Sequence, residues 1–237
     1  MTIFRAAKRV MEPAYQVFRG IPYAKSARWE PPEVIKKFGK VVGSDLPGPA
    51  CMVDFYNPMM TIAEYQAYID DGSISEDCLT LDIYRPNGDP FTDGHTKSPL
   101  LPIIVWFHGG GFQSGHSSQY DASNLMTEDI VVIVVQYRLG IMGFFNFWDK
   151  NGTSGGNLGL LDQQVALEFI ADNAAHIGGD RNQIMIMGQG TGGSSVGYHL
   201  LNDKSAKLIS SGWMQSGTPT FGRSPIQETL SVNDAIR

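Results

Sequence analysis

Gly188-Gln189-Gly190-Thr191-Gly192 has the spacing of a turn built to present a reactive side chain. Upstream, Ile184-Met185-Ile186-Met187 is an apolar, β-prone run, and downstream Ser194-Ser195-Val196-Gly197-Tyr198-His199-Leu200-Leu201 reads as a helix. A strand, a glycine-dense sharp turn and a helix form the frame of the nucleophile elbow, G-x-S-x-G, whose strained backbone holds a serine hydroxyl towards a carbonyl carbon. Here the serine position is Gly190. Glycine has no side-chain atom that can attack, so the frame stands without its nucleophile.

Gly109-Gly110-Gly111-Phe112, directly after Trp106-Phe107-His108, is the second chemical feature. Three glycines after a buried strand free backbone N–H groups to converge on one spot, which is how an oxyanion hole is assembled. A phosphate cradle would need G-K-[ST] or G-x-G-x-x-G, and neither is present. Taken alone the run also fits a plain tight turn; paired with an elbow later in the chain, the oxyanion reading becomes strong.

No neighbouring residue replaces the missing serine. Ser194 lies one helical turn beyond Gly190, roughly 6 Å along the axis, whereas attack needs reacting atoms about 3–3.5 Å apart. Ser194 and Ser195 are therefore expected to pack the helix, His199 to be structural and His108 to brace the glycine turn. His95, His116 and His176 have no metal-ligand spacing around them. Loss of the nucleophile from a serine-based site costs about 10⁶ in kcat, which oxyanion donors alone do not recover. No metal or organic cofactor is implied.

The elements that must position these turns alternate along the chain. Leu79 to Tyr84 alternates as a half-buried strand does, while Leu101 to Phe107 and Ile130 to Val135 are continuous apolar runs, as in strands covered on both faces. Leu160 to Ile170 has helical spacing, Ile184 to Met187 is the next strand, and a further strand lies near Trp213. Strands alternating with helices predict an α/β fold with a mostly parallel central sheet and helices on both faces. Ligands of such sheets bind beyond the carboxyl ends of the strands, where both glycine turns fall.

Bulk properties narrow the function. The 237 residues are 42% hydrophobic with a net charge of -6, which fits a globular chain and excludes the basic face of a nucleic-acid binder. No apolar run is long enough to cross a membrane, and the basic start, Met1 to Val10, lacks the apolar stretch of a signal peptide. Two cysteines, Cys51 and Cys78, are either free buried thiols or a pair. Paired, they would close a loop of about 28 residues, worth roughly 3.6 kcal/mol in the chain-entropy picture. Asn151-Gly152-Thr153 is a glycosylation sequon. Phe55, Tyr56 and Phe112 could line a gorge or pack inside.

The series of motifs resembles the N-terminal part of a type-B carboxylesterase, the cholinesterase-like branch of the α/β-hydrolases. The resemblance runs over about 16–220, from Phe18-Arg19-Gly20-Ile21-Pro22-Tyr23-Ala24 through Glu76-Asp77-Cys78-Leu79-Thr80-Leu81-Asp82-Ile83-Tyr84 and His108 to Phe112. Tyr137-Arg138-Leu139-Gly140, Gly156-Asn157-Leu158-Gly159-Leu160-Leu161-Asp162-Gln163, Gly178-Gly179-Asp180 and Gln215-Ser216-Gly217 continue it. It implies an α/β-hydrolase fold, incomplete here, with residues 1–237 forming part of one carboxylesterase domain.

The same resemblance implies roles by position. Gly110 and Gly111 would donate two oxyanion N–H groups and Thr191 the third. Cys51 and Cys78 would form the family's first disulfide, and Arg28 and Glu76 a buried ion pair beside it. The elbow reads Gln189-Gly190-Thr191 where an active member has Glu-Ser-Ala, and the family's acid and histidine belong to a C-terminal half beyond Arg237. Lys25 to Trp29 is shorter than the usual link. Neuroligins, which are non-catalytic adhesion members, also carry glycine at the nucleophile position. The expectation is an inactive esterase-like domain at the cell surface or secreted, binding an extracellular protein or a small ester-like ligand. The alternative is a carboxylic-ester hydrolase whose chain is a variant or truncated. A sheet cut after the strand near Trp213 is expected to leave an apolar edge.

Overall fold

The computed structural model describes residues 15–36, 46–53, 72–87, 99–145, 147–148 and 154–220. Asn151, Phe55, Tyr56 and His95 lie outside them. The main sheet has six strands: β1 (Tyr15–Pro22), β2 (Thr80–Pro86), β3 (Leu101–Phe107), β4 (Val131–Val135), β5 (Gly179–Gln189) and β6 (Ser211–Gln215). Their spatial order is β1-β2-β4-β3-β5-β6. The β1–β2 and β2–β4 pairs are antiparallel, and β4–β3, β3–β5 and β5–β6 are parallel. The described residues form four α-helices: α1 (Gly140–Phe144), α2 (Leu158–Ile177), α3 (Thr191–Leu201) and α4 (Asp203–Ala206).

The period-two alternation of the strands divides the core into two layers. Leu81, Ile83, Ile103, Val105, Phe107, Ile133, Val135, Ile184 and Ile186 face one way and pack with Leu167, Ile170 and Ala174 of α2 and Val196 of α3. Tyr84, Val132, Val134, Ile104 and Trp106 face the other way. Both long helices therefore cover one face of the mostly parallel sheet. Within the described residues the opposite face is covered by the segment after the glycine turn, where two 3₁₀ turns, Ser117–Gln119 and Ser123–Leu125, bring Tyr120, Ala122 and Met126 onto it.

Two expectations about strands change. Thr80–Arg85 is buried on both faces rather than half-buried, because Leu81 and Ile83 pack into the layer with α2 while Tyr84 packs into the opposite layer with Ala122 and Met126; its polar residues Thr80, Asp82 and Arg85 are buried with the apolar ones. Strand β5 extends five residues upstream of Ile184, and its register against β3 shifts between Gly179 and Ile184. At the far end, β6 pairs only with β5 among the described residues and leaves Trp213 55% and Met214 40% exposed. Among the described residues β6 is therefore an edge strand with two exposed apolar side chains. No described helix is long and apolar enough to cross a membrane.

Candidate functional site

Because β3 and β5 are parallel neighbours, their carboxyl ends bring the two glycine turns side by side. Gly188, the penultimate residue of β5, is followed after Gln189 by the sharp turn at Gly190 and then α3. Gly190 has φ 57° and ψ -123°, donates its N–H to Gln215 O at 2.8 Å and accepts from Ser194 N–H at 3.1 Å. That backbone is one an L side chain enters only with strain.

The elbow glycines differ in why they are glycine. A Cβ on Gly188 would lie 2.4 Å from the Gly192 backbone, and one on Gly192 would lie 2.0 Å from Phe107 O. These two allow β3, β5 and α3 to touch. A Cβ on Gly190 would meet nothing within 4 Å. Packing therefore leaves room at position 190 for a side chain such as the serine of the elbow motif.

In the other turn, Gly110 O accepts from Gln113 N–H at 3.1 Å and Ser114 N–H at 3.0 Å, which curls the segment back over the end of β3. The Phe112 N–H reaches across to Thr191 Oγ1 at 3.3 Å, linking the loop to the start of α3. The Phe112 ring is buried against Phe144 of α1, 4.7 Å between centroids, so it packs inside rather than lining a gorge. Among the described residues the N–H groups of Gly110, Gly111 and Thr191 donate to no protein acceptor. The turns are thus together, with three backbone donors uncommitted and no nucleophilic side chain at the position between them.

The residues around the elbow are committed to the scaffold. Ser194 Oγ donates to Thr218 O at 2.9 Å. Ser195 Oγ accepts from Gln163 Nε2 at 3.1 Å, Gln163 Oε1 accepts from His199 Nε2 at 2.9 Å, and His199 Nδ1 accepts from Ser205 Oγ at 3.0 Å. Burial pushes His199 down to about 4, so it stays neutral inside this chain. His108 is fully buried, donates from Nδ1 to Gly109 O at 2.9 Å and stacks 4.4 Å from Tyr137, whose hydroxyl donates to His108 O at 2.7 Å. Burial holds it too at about 4.

Cys51 and Cys78 are bonded to each other. Arg28 and Glu76 pair as expected, with Arg28 Nε 3.0 Å from Glu76 Oε1, but not as a buried pair. The Arg28 side chain is 59% exposed and that of Glu76 35%, so water screens the interaction and it adds little to stability. Among the described residues the buried pair is Arg138–Asp162, which the motif reading did not single out. Arg138 donates to Asp162 through Nε at 2.8 Å, Nη2 at 2.7 Å and its backbone N–H at 3.0 Å, and through Nη1 to Glu30 O at 2.9 Å. Burial pushes the Asp162 carboxyl up while these bonds from Arg138 pull against it. The available signal was a charged residue directly after each of two strongly apolar stretches, Val131–Tyr137 and Leu158–Leu161. Among the described residues no group of three or more His, Cys, Asp or Glu is placed to hold a metal ion.

Known proteins are similar to this chain in sequence. The profile of the carboxylesterase family matches residues 5–231, beginning earlier than the motifs do. Pyrethroid hydrolase Ces2a of Mus musculus is 39% identical over 207 residues, which cover 84% of this chain and 35% of that protein. Cocaine esterase of Homo sapiens is 37% identical over 208 residues, 85% of this chain and 36% of that protein. Venom carboxylesterase-6 of Apis mellifera is 36% identical over 207 residues, 86% of this chain and 34% of that protein. The chain spans about a third of the length of these curated relatives. With its mainly parallel sheet, paired glycine turns and Cys51–Cys78 bond, this chain belongs to the carboxylesterase family and has the α/β-hydrolase fold.

Proposed function

We propose that this chain is part of an esterase-like domain that binds without hydrolysing. The observation that carries the reading is Gly190: the elbow around it has its turn, its neighbouring glycines and its open slot, and lacks only the attacking oxygen. The N–H groups of Gly110, Gly111 and Thr191 remain as donors and are assigned the oxyanion-hole role. Without a nucleophile such a nest holds a carbonyl or carboxylate oxygen reversibly. An adhesion role with an extracellular protein partner, as in neuroligins, is the wider form of the same reading. The Cys51–Cys78 bond supports an oxidising, secreted or cell-surface setting, in which Asn151 would be a glycan site.

Titrating the ¹⁵N-labelled protein with butyrate and with a non-hydrolysable ester analogue tests the binding role. Saturable shifts confined to the amides of Gly110, Gly111 and Thr191 are expected. Unchanged amides at millimolar ligand would remove the small-molecule reading.

Ester hydrolysis is the second reading, favoured by the relatives, which are named as esterases and hydrolases at 36–39% identity. It requires an attacking group other than residue 190. Ser194 and Ser195, the nearest hydroxyls downstream in α3, already serve Thr218 and Gln163.

A further inference from the structure

Five buried side-chain atoms in the described residues have no protein hydrogen-bond partner: Thr80 Oγ1, Asp82 Oδ2, Trp106 Nε1, His108 Nε2 and Gln136 Nε2. They are not scattered. Asp82 pairs with Val134, and Val134 pairs with Trp106, forming one row across β2, β4 and β3. In the next row the Gln136 N–H donates to Thr80 O at 3.0 Å, and His108 follows Phe107, the partner of Val135. Residues two apart on a strand share a face. All five therefore fall on a patch two rows deep and three strands wide, on the face away from α2 and α3. Tyr120 lies over it, its ring 5.4 Å from Trp106 and 6.4 Å from His108. Ser117 closes one side through its N–H to Gln136 Oε1 at 2.9 Å and through its side chain, which hydrogen-bonds the Asp82 carboxylate, and Gly20 closes another through its N–H to Asp82 Oδ1 at 2.8 Å.

The chemistry of the five atoms selects the ligand. Gln136 Oε1 already accepts from Ser117, which leaves Nε2 as a donor, and an indole N–H only donates. His108 Nδ1 donates to Gly109 O, which leaves Nε2 an acceptor, and Asp82 Oδ2 accepts. Thr80 can do either. A bare cation would face two N–H groups, and an anion would face a carboxylate. Water donates two hydrogen bonds and accepts two, and buried waters make about three each with otherwise unpaired groups.

We propose that this patch is a buried water site, occupied by about two molecules, that ties the foot of the Gly109–Gly111 loop to the sheet. A water donating to His108 Nε2 fixes the tautomer that donates from Nδ1 to Gly109 O, so the site supports the glycine turn from beneath. This holds whether or not the turn binds a ligand.

Crystallography of the protein at about 1.5 Å or better reads the site directly. Ordered water peaks at about 2.7–3.2 Å from at least three of the five atoms are expected. Direct contacts among the side chains with no density between them, or a cation held at about 2.0–2.4 Å, would overturn the proposal. Water-¹⁷O relaxation dispersion gives a second reading in solution: the long-lived water signal should fall in Thr80→Val and Trp106→Phe. An unchanged signal in folded variants counts against the site. Should either variant fail to fold, the density in the unaltered protein decides.

Discussion

Helix α3 carries two kinds of polar group within a few residues of each other. On its buried side, Ser195 and His199 are joined with Gln163 and Ser205 in an unbroken chain of donors and acceptors. At its N-terminus, the Thr191 N–H and those of Gly110 and Gly111 have no protein acceptor among the described residues, and Gly190 faces open space. Folding has consumed the polar groups of one side and held those of the other available. Gly110 is exposed and Gly111 and Thr191 are half-buried, so these N–H groups are open to water, whereas Ser195 and His199 are buried and must be paired within the protein.

Glycine substitutions probe the sharpest part of this contrast. Gly192→Ala, whose Cβ would lie 2.0 Å from Phe107 O, is expected to destabilise the fold by about 3 kcal/mol or more, measured by urea melting. Gly190→Ala meets no atom and incurs only its backbone strain, about 1–2 kcal/mol. Equal losses at the two positions would break the distinction between a glycine required by contact and one that merely lacks a nucleophile.

Acid reports on the buried histidines. His108 and His199 are held by burial at about 4, against an ordinary 6.5, so the unfolded chain takes up their protons first as pH falls. Their contribution is complete above about pH 6.5 and is lost down to about pH 4, by about 3 kcal/mol for each histidine. Burial pushes the Asp82 and Asp162 carboxyls up, so they act in the opposite sense and gain stability as pH falls. His199→Gln should flatten the pH dependence of stability between pH 6.5 and 4 by one proton; an unchanged slope would mean that His199 is not held neutral. Gln163→Leu, which strands Ser195 and His199, is expected to cost about 1–3 kcal/mol and to leave the Gly110, Gly111 and Thr191 amide positions unmoved.

Much of this was legible along the chain, for a local reason. Apolar runs and glycine turns are short-range signals, and they located the strands Leu101–Phe107 and Val131–Val135, the α3 helix and both turns to within a few residues. Pairings between distant segments were less legible. Arg28 and Glu76 pair, yet at the surface, because sequence proximity to the disulfide says nothing of water access. Arg138 and Asp162 form a buried pair because the segment after β4 meets the N-terminal part of α2, which only the folded register reveals. The unpartnered patch beneath the glycine loop is less visible still. It depends on the alignment of three strands, and each residue alone is an ordinary polar alternate.

Covalent labelling of the protein as its own gene encodes it, with a fluorophosphonate probe and mass spectrometry, tests the absence of a nucleophile most directly. No labelling of the natural protein is predicted, with Gly190→Ser becoming labelled at position 190. Labelling of the natural protein that disappears on Ser194→Ala or Ser195→Ala would contradict the account.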